Sequence, residues 1–213
     1  MIPAPPRAVT AALVESAVLG VDAPCPLLAI GDETSWGIVT SADEHGLHIG
    51  DLTITATPQG LETLVTCTGP VPPGLLERLD KRATQLAKAR VVVAAAIVRD
   101  GKVLAQERAY PTEAAGLWEL PGGRVEPGES DVDAVARECQ EELGCTVIAK
   151  EPVGPDVPLS DHMVLRTYTA TLTAGEPEAN DHRTTRWLEN DALSTVPWLP
   201  ADRILLPHLS RIL

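Results

Sequence analysis

The sequence predicts an α/β/α sandwich on a mixed sheet, preceded by a small α+β region. Three observations carry this reading. From residue 90 onward, apolar runs of strand length alternate with helical patterns. Residues 131–143 form one amphipathic stretch with a helix start at Ser130 and a stop at Gly144. Residues 46–67, GLHIGDLTITATPQGLETLVTC, alternate apolar and polar side chains and are broken by Gly50-Asp51 and Gln59-Gly60, the pattern of a short β-meander.

Taken in order, Trp36 to Val39 supplies a further strand, and the meander follows. After PVPPG, the residues Leu75, Leu76, Leu79, Ala83, Leu86 and Ala87 recur at helical spacing and predict a helix over 74–89. Residues 1–89 are thus expected to be one α+β unit and residues 90–213 another. VVVAAAIVRDGKVLAQER then reads as two strands joined at Asp100-Gly101, a hairpin signal. GLWELPGG, residues 116–123, supplies a strand and a Gly-rich turn able to approach phosphate oxygens closely. Strands are expected at 146–150, 163–172 and 184–188, the last containing Trp187, and a helix at 201–212.

With 213 residues, 44% of them hydrophobic, the chain can bury one core plus a small second domain. A net charge of −13 and the lack of any basic stripe argue against a nucleic-acid polymer as partner. Four cysteines, at 25, 67, 139 and 145, form no CxxC pair and read as reduced thiols of a cytoplasmic protein. The first twenty residues are interrupted by Glu15, and no apolar run reaches bilayer length, so neither secretion nor a membrane partner is expected. His45 and His48 read as hairpin surface residues, since no third ligand lies near them. For residues 1–89, homodimerisation, a lid and a plain scaffold are all open.

The chemistry concentrates in the helix at 131–143. Asp131 and Asp133 favour its first turn. At about 100° per residue, Val132, Val135, Ala136, Cys139 and Leu143 share a stripe while Glu138, Glu141 and Glu142 occupy a neighbouring arc. Like charges at such spacing cost an isolated helix roughly 0.2–0.5 kcal/mol per pair, so the arc asks for a compensating cation. Oxygen donors of this kind suit Mg²⁺, with Mn²⁺ as a substitute.

Residues 123–145, GRVEPGESDVDAVARECQEELGC, fit G-x5-E-x7-R-E-U-x-E-E-x-G-U, with Cys139 and Cys145 counted as small apolar residues. The chain therefore resembles the Nudix hydrolases over residues 90–213. GLWELPGG, DHRTTRWL and LPADRILLP make it similar to MutT-like nucleoside triphosphate pyrophosphohydrolases, in particular their cytidine-nucleotide branch. The resemblance implies that Glu138, Glu141 and Glu142 bind metal and that Arg137 orients a glutamate. It adds Gly123 and Glu129 to the metal site in supporting roles, and Asp181 as a further carboxylate, ligand or base. Arg108 would contact phosphate, with Gly122 and Gly123 lining the phosphate turn. Trp118 would flank the base unless it is a buried strand aromatic. Asp202 would read the base edge by accepting from the cytosine amino group, unless it caps the last helix.

The implied reaction is Mg²⁺-assisted hydrolysis of CTP, dCTP or 5-methyl-dCTP to the monophosphate and pyrophosphate, with Glu138 or Asp181 taking the water's proton. The alternatives are an 8-oxo-dGTP pyrophosphatase, a hydrolase of ADP-ribose or another nucleoside diphosphate derivative, and a nucleotide-sensing module without catalysis.

Overall fold

The computed structural model describes residues 1–20, 23, 26–30, 32–43 and 45–213. Cys25, expected as a reduced thiol, lies outside them. Contacts divide the chain into two units, residues 1–90 with 154–164, and residues 91–153 with 165–213.

The first unit opens with helices α1 (Pro6–Leu13) and α2 (Ser16–Leu19), neither of which the sequence reading anticipated. An antiparallel meander follows, β1 (Glu33–Thr34), β2 (Gly37–Asp43), β3 (Gly46–Ile49), β4 (Leu52–Gln59) and β5 (Glu62–Thr68), in that spatial order. The β3–β4 turn is Gly50-Asp51, where a Cβ on residue 50 would stand 2.1 Å from the Trp36 carbonyl oxygen. Alternation buries Leu47, Ile49, Leu52, Ile54 and Ala56. Helix α3 (Leu75–Leu86) packs on α1, and α1 also lies against β3, β4 and β5. Arg78 closes the end of α2 by donating to the carbonyls of Val18 and Leu19 at 2.8 and 3.1 Å. His45 and His48 are both exposed on the β2–β3 hairpin.

Residues 154–164, expected to belong with the C-terminal region, group with this unit. Arg7 pairs with Asp156 at 2.9 Å, Arg82 with Asp161 at 3.1 Å, and the Arg90 amide donates to the His162 carbonyl at 2.8 Å.

The second unit is built from β6 (Arg90–Arg99), β7 (Lys102–Glu107), β8 (Trp118–Glu119), β9 (Gly122–Arg124), α4 (Asp131–Leu143), β10 (Thr146–Ser160), β11 (Met163–Ala174), β12 (Thr184–Leu188) and α5 (Pro200–Leu209). Its sheet runs β10-β11-β6-β7-β12, with β8 paired to β7 and β9 to β6. The β6–β7 turn is Asp100-Gly101, with φ of 53° and 70°, the left-handed geometry that a two-residue hairpin favours. Strand β6 is covered on both faces. Val93, Ala95 and Ile97 join the core beneath α4, while Ala94 and Ala96, pointing the other way, are equally buried. The fold is the expected α/β sandwich.

Strands β10 and β11 exceed the expected lengths. Pro152, Pro155 and Pro158 lie inside β10, which ends the sheet order, and an edge strand tolerates prolines because one row of its N–H groups needs no partner. A 3₁₀ turn at Asn190–Thr195 was not expected.

Helix α4 has the expected limits, with Ser130 accepting from the Asp133 amide at 3.3 Å and Gly144 left-handed at φ 65°. Its buried stripe is rotated from the expected one. Ala134, Val135, Cys139 and Leu143 are buried, Ala136 is half-buried, and Val132 is 42% exposed. Cys139 and Cys145 are free thiols sealed in this core, where burial pushes both up from the ordinary thiol range. The rotation predicts that Leu143→Ala lowers unfolding stability in urea by about 2–5 kcal/mol. Val132→Ala should change it by less than about 0.5 kcal/mol.

Candidate active site

Arg137 is the hub of the acidic face. Its Nε and Nη2 donate to the two Glu129 oxygens at 2.9 and 3.0 Å, Nη1 donates to Glu138 at 2.9 Å and Glu141 at 3.2 Å, and Nη2 reaches the Arg124 carbonyl at 2.9 Å. These bonds hold the guanidinium well above its usual pKa, chiefly through Glu129, and hold the Glu129 carboxyl below the carboxylate range, chiefly through Arg137. One arginine thus ties α4 to the loop before it and to the end of β9.

Glu142 sits apart from that hub. Its Oε2 accepts from Gln106 Nε2 at 2.8 Å and from the Gly122 amide at 3.1 Å. Burial raises its carboxyl above the usual range, against the lowering effect of those two bonds. Gly122 and Gly123 earn their lack of side chains sterically. A Cβ at 122 would stand 2.0 Å from the Val93 carbonyl oxygen, and one at 123 would stand 2.3 Å from the Glu138 carboxylate.

The loop after β11 caps the C-terminal end of α4. Glu178 and Asn180 amides donate to the carbonyls of Leu143 and Glu142, each at 3.0 Å, and the Asn180 side chain donates to the Glu141 carbonyl at 2.9 Å. These carbonyls have no partner inside the helix. The cap delivers His182 beside Glu142, with Nδ1 4.0 Å from Glu142 Oε1 and Nε2 2.8 Å from Glu119 Oε1. Arg108 donates to both Glu119 oxygens at 2.7 and 2.8 Å.

The structure therefore brings together Arg137, Glu129, Glu138, Glu141 and Gly123 around one guanidinium, and Glu142 and Gly122 around Gln106. Asp181 is exposed and makes none of these contacts. Arg108 is committed to Glu119. Trp118 is buried, bridged to Trp198 through backbone bonds, which favours the core role over a stacking face. Asp202 stands in the first turn of α5, after the N-cap Leu199, and its carboxyl accepts from its own amide. Its Oδ1 also accepts from the Leu120 amide at 2.9 Å, tying α5 to the strand before the glycine turn. Gln106, Glu119 and His182 escaped the sequence reading. The only signal was a polar residue inside the apolar run VLAQ and two unassigned residues within motifs already quoted.

The donor set fits a hard divalent cation, being carboxylate oxygens on one helix arc beside buried polar atoms that lack partners, Gln106 Oε1 and His182 Nδ1. Among the described residues no three His, Cys, Asp or Glu side chains are arranged to hold a metal ion as they stand. Glu138 and Glu141 face Arg137, and joint coordination with Glu142 requires them to turn from it.

The NUDIX domain model matches residues 88–209, and the chain belongs to this family of hydrolases. The family acts on small nucleotide substrates and generally uses divalent metal ions. Its class is that of a nucleotide pyrophosphohydrolase. The chain is 46% identical over 127 residues to the Mycobacterium tuberculosis protein named "Putative 8-oxo-dGTP diphosphatase 2", covering 58% of this chain and 90% of that one. It is 38% identical over 117 residues to the CTP pyrophosphohydrolase of Escherichia coli, covering 54% and 87%. The solution structure of the E. coli ORF135 protein superposes with a TM-score of 0.52 at 34% identity, over 59% of this chain and 91% of that chain.

Asp202 is 4% exposed, and burial pushes its carboxyl up to about 7. The folded state then holds a proton that the unfolded chain releases near pH 4, so stability falls as pH rises between these values. Replacing Asp202 with Asn keeps an oxygen for the Leu120 amide and removes the titration. Chemical unfolding at pH 5 and pH 8 should show the variant gaining on the parent with rising pH, by on the order of 2–3 kcal/mol at most.

Proposed function

We propose that this enzyme hydrolyses nucleoside triphosphates to the monophosphate and pyrophosphate, with CTP, dCTP or 5-methyl-dCTP as its preferred substrates and Mg²⁺ as its metal. The observation that carries the reaction is the intact set of carboxylates on α4, with Arg137 compensating three of the box's glutamates and Glu142 partly buried beside the glycine turn.

Glu138, Glu141 and Glu142 would hold the cation, with Glu129 and Gly123 supporting Glu138. When bound, a divalent cation neutralises phosphate charge and lowers the pKa of a coordinated water. The chain's own residues do the remaining work. Arg137 holds Glu138 and Glu141 on the same helix as Glu142. Gly122 and Gly123 leave room for phosphate oxygens against the backbone, and Arg108 can exchange Glu119 for a phosphate at small electrostatic cost because both are anionic. A carboxylate takes the water's proton; Glu138, already half-buried at the turn, is better placed than the exposed Asp181.

The cytidine preference rests on Asp202. Once ionised, which burial delays to about pH 7, the Asp202 carboxylate accepts from the N4 amino group of cytosine, and its bond from the Leu120 amide fixes its orientation. The likeness to an M. tuberculosis protein named for 8-oxo-dGTP supports the second reading, in which an oxidised guanine nucleotide is the substrate.

Pyrophosphate release with Mg²⁺ across CTP, dCTP, 5-methyl-dCTP, 8-oxo-dGTP, dGTP and ADP-ribose tests both. The cytidine nucleotides should show the highest kcat/KM, Glu142→Gln should lose at least about 100-fold of it, and Asp202→Asn should raise KM for them. Highest turnover of 8-oxo-dGTP, with Asp202→Asn neutral toward CTP, selects the second reading. No turnover of any substrate discards both.

A further inference from the structure

Helix α3 and the turn that follows it gather most of the first unit's positive charge. Five of the six Lys and Arg residues in 1–90 fall between positions 78 and 90, in a chain whose net charge is −13. Two of the five are spent on the fold. Arg78 donates to the carbonyls of Val18 and Leu19, and Arg82 pairs with Glu15 at 2.8 Å and with Asp161 at 3.1 Å. Lys81 and Lys88 have no such use. Both are exposed, and neither has a hydrogen bond or ion pair from its side chain to any described residue.

These two lysines line a cavity of about 530 Å³ together with Thr84, Gln85, Ala89 and His162, all within the first unit. Lys81, Thr84, Gln85 and Lys88 recur at i, i+3, i+4 and i+7, so α3 and its continuing turn present all four on one side. The rest of the wall comes from the turn between β10 and β11, which carries His162. That turn is pinned in place. Arg82 donates to the Asp161 carboxylate and, at 3.4 Å, to the Ser160 carbonyl, while the Arg90 amide donates to the His162 carbonyl at 2.8 Å. No carboxylate belongs to the lining, and Asp161, next to His162, is held by Arg82.

A cleft lined by charge of one sign concentrates ions of the other, and this volume is that of a small-molecule site. Two helical turns separate the lysines, roughly 10 Å at the backbone. An anion with its charge spread along several phosphates therefore meets both ammonium groups at less cost in side-chain freedom than a single phosphate does. Thr84 and Gln85 supply neutral donors between the lysines, and the His162 imidazole carries at least one N–H in either charge state.

We propose that this cavity is a binding site for a polyphosphate anion, either free pyrophosphate or the triphosphate of a nucleotide, held by Lys81 and Lys88 with Thr84, Gln85 and His162 as hydrogen-bond donors. It shares no residue with the hydrolytic site and does not depend on the substrate assigned to that site.

The test is isothermal titration calorimetry of the full chain with pyrophosphate in EDTA, which keeps the α4 carboxylates free of metal. Pyrophosphate should bind the parent. Lys81→Gln and Lys88→Gln combined in one chain should weaken that binding by at least about tenfold with an unchanged Tm, because both side chains are exposed. Arg108→Gln, the control for capture at the hydrolytic site, should leave it within about twofold of the parent, since no partner is shared. Inorganic phosphate should bind more weakly than pyrophosphate. Titration with CTP separates the two sources, tighter binding than pyrophosphate assigning the site to a nucleotide and weaker binding assigning it to free pyrophosphate. No pyrophosphate binding by the parent, parent-like affinity in the double lysine variant, or a loss in Arg108→Gln as large as in that variant would overturn the proposal. Equal affinity for inorganic phosphate and pyrophosphate would overturn the polyphosphate assignment.

Discussion

The acidic arc of α4 is tolerable because one guanidinium compensates it. Arg137 bonds three carboxylates and a backbone carbonyl at once, so like charges that would weaken an isolated helix are bridged through one shared cation. Everything else at the site is arranged around that compensation. The loop carrying Glu129 returns to the helix because Arg137 draws it there, and β9 ends where its last carbonyl meets the same side chain. A divalent cation is then a competing partner for Glu138 and Glu141, not the only means of tolerating them.

Glu142 follows a different rule. It has no guanidinium and is buried, so its charge depends on Gln106, the Gly122 amide and the imidazole of His182. The carboxylates therefore divide into a group compensated by Arg137 and one desolvated member held by Gln106 and the Gly122 amide beside His182. A desolvated carboxylate gains more from a cation than an exposed one does, because less solvation is given up on binding. The packing that buries Glu142 is also the packing that ends α4, since the loop whose amides satisfy the last helical carbonyls brings His182 to it. Helix capping and site assembly are here one set of contacts.

Local signals made most of the second unit legible in sequence. Ser130 and Gly144 fixed the limits of α4, Asp100-Gly101 fixed the first hairpin, and the box supplied the carboxylates and their arginine. What escaped depended on distant partners. The buried stripe of α4 includes Ala134 instead of Val132 because burial is decided by the strands facing the helix, not by side-chain apolarity. Strand β10 runs through three prolines because it lies at the end of the sheet, a fact of topology. Helices α1 and α2 have no polar start signal, and their stability comes from packing on α3 and the meander. Gln106, Glu119 and His182 are separated by up to 76 positions and become a set only when β7, β8 and the capping loop meet at Glu142.

The central claim is that the folded α4 arc binds a divalent cation through Glu142. Thermal unfolding of the parent and of Glu142→Gln over a Mg²⁺ series tests it without any assumption about substrate. A ligand bound only by the folded state raises the Tm in proportion to the logarithm of its concentration once above its Kd. The account predicts such a rise for the parent and a much smaller one for the variant. Equal Mg²⁺ dependence in the two proteins, or none in the parent, would contradict it.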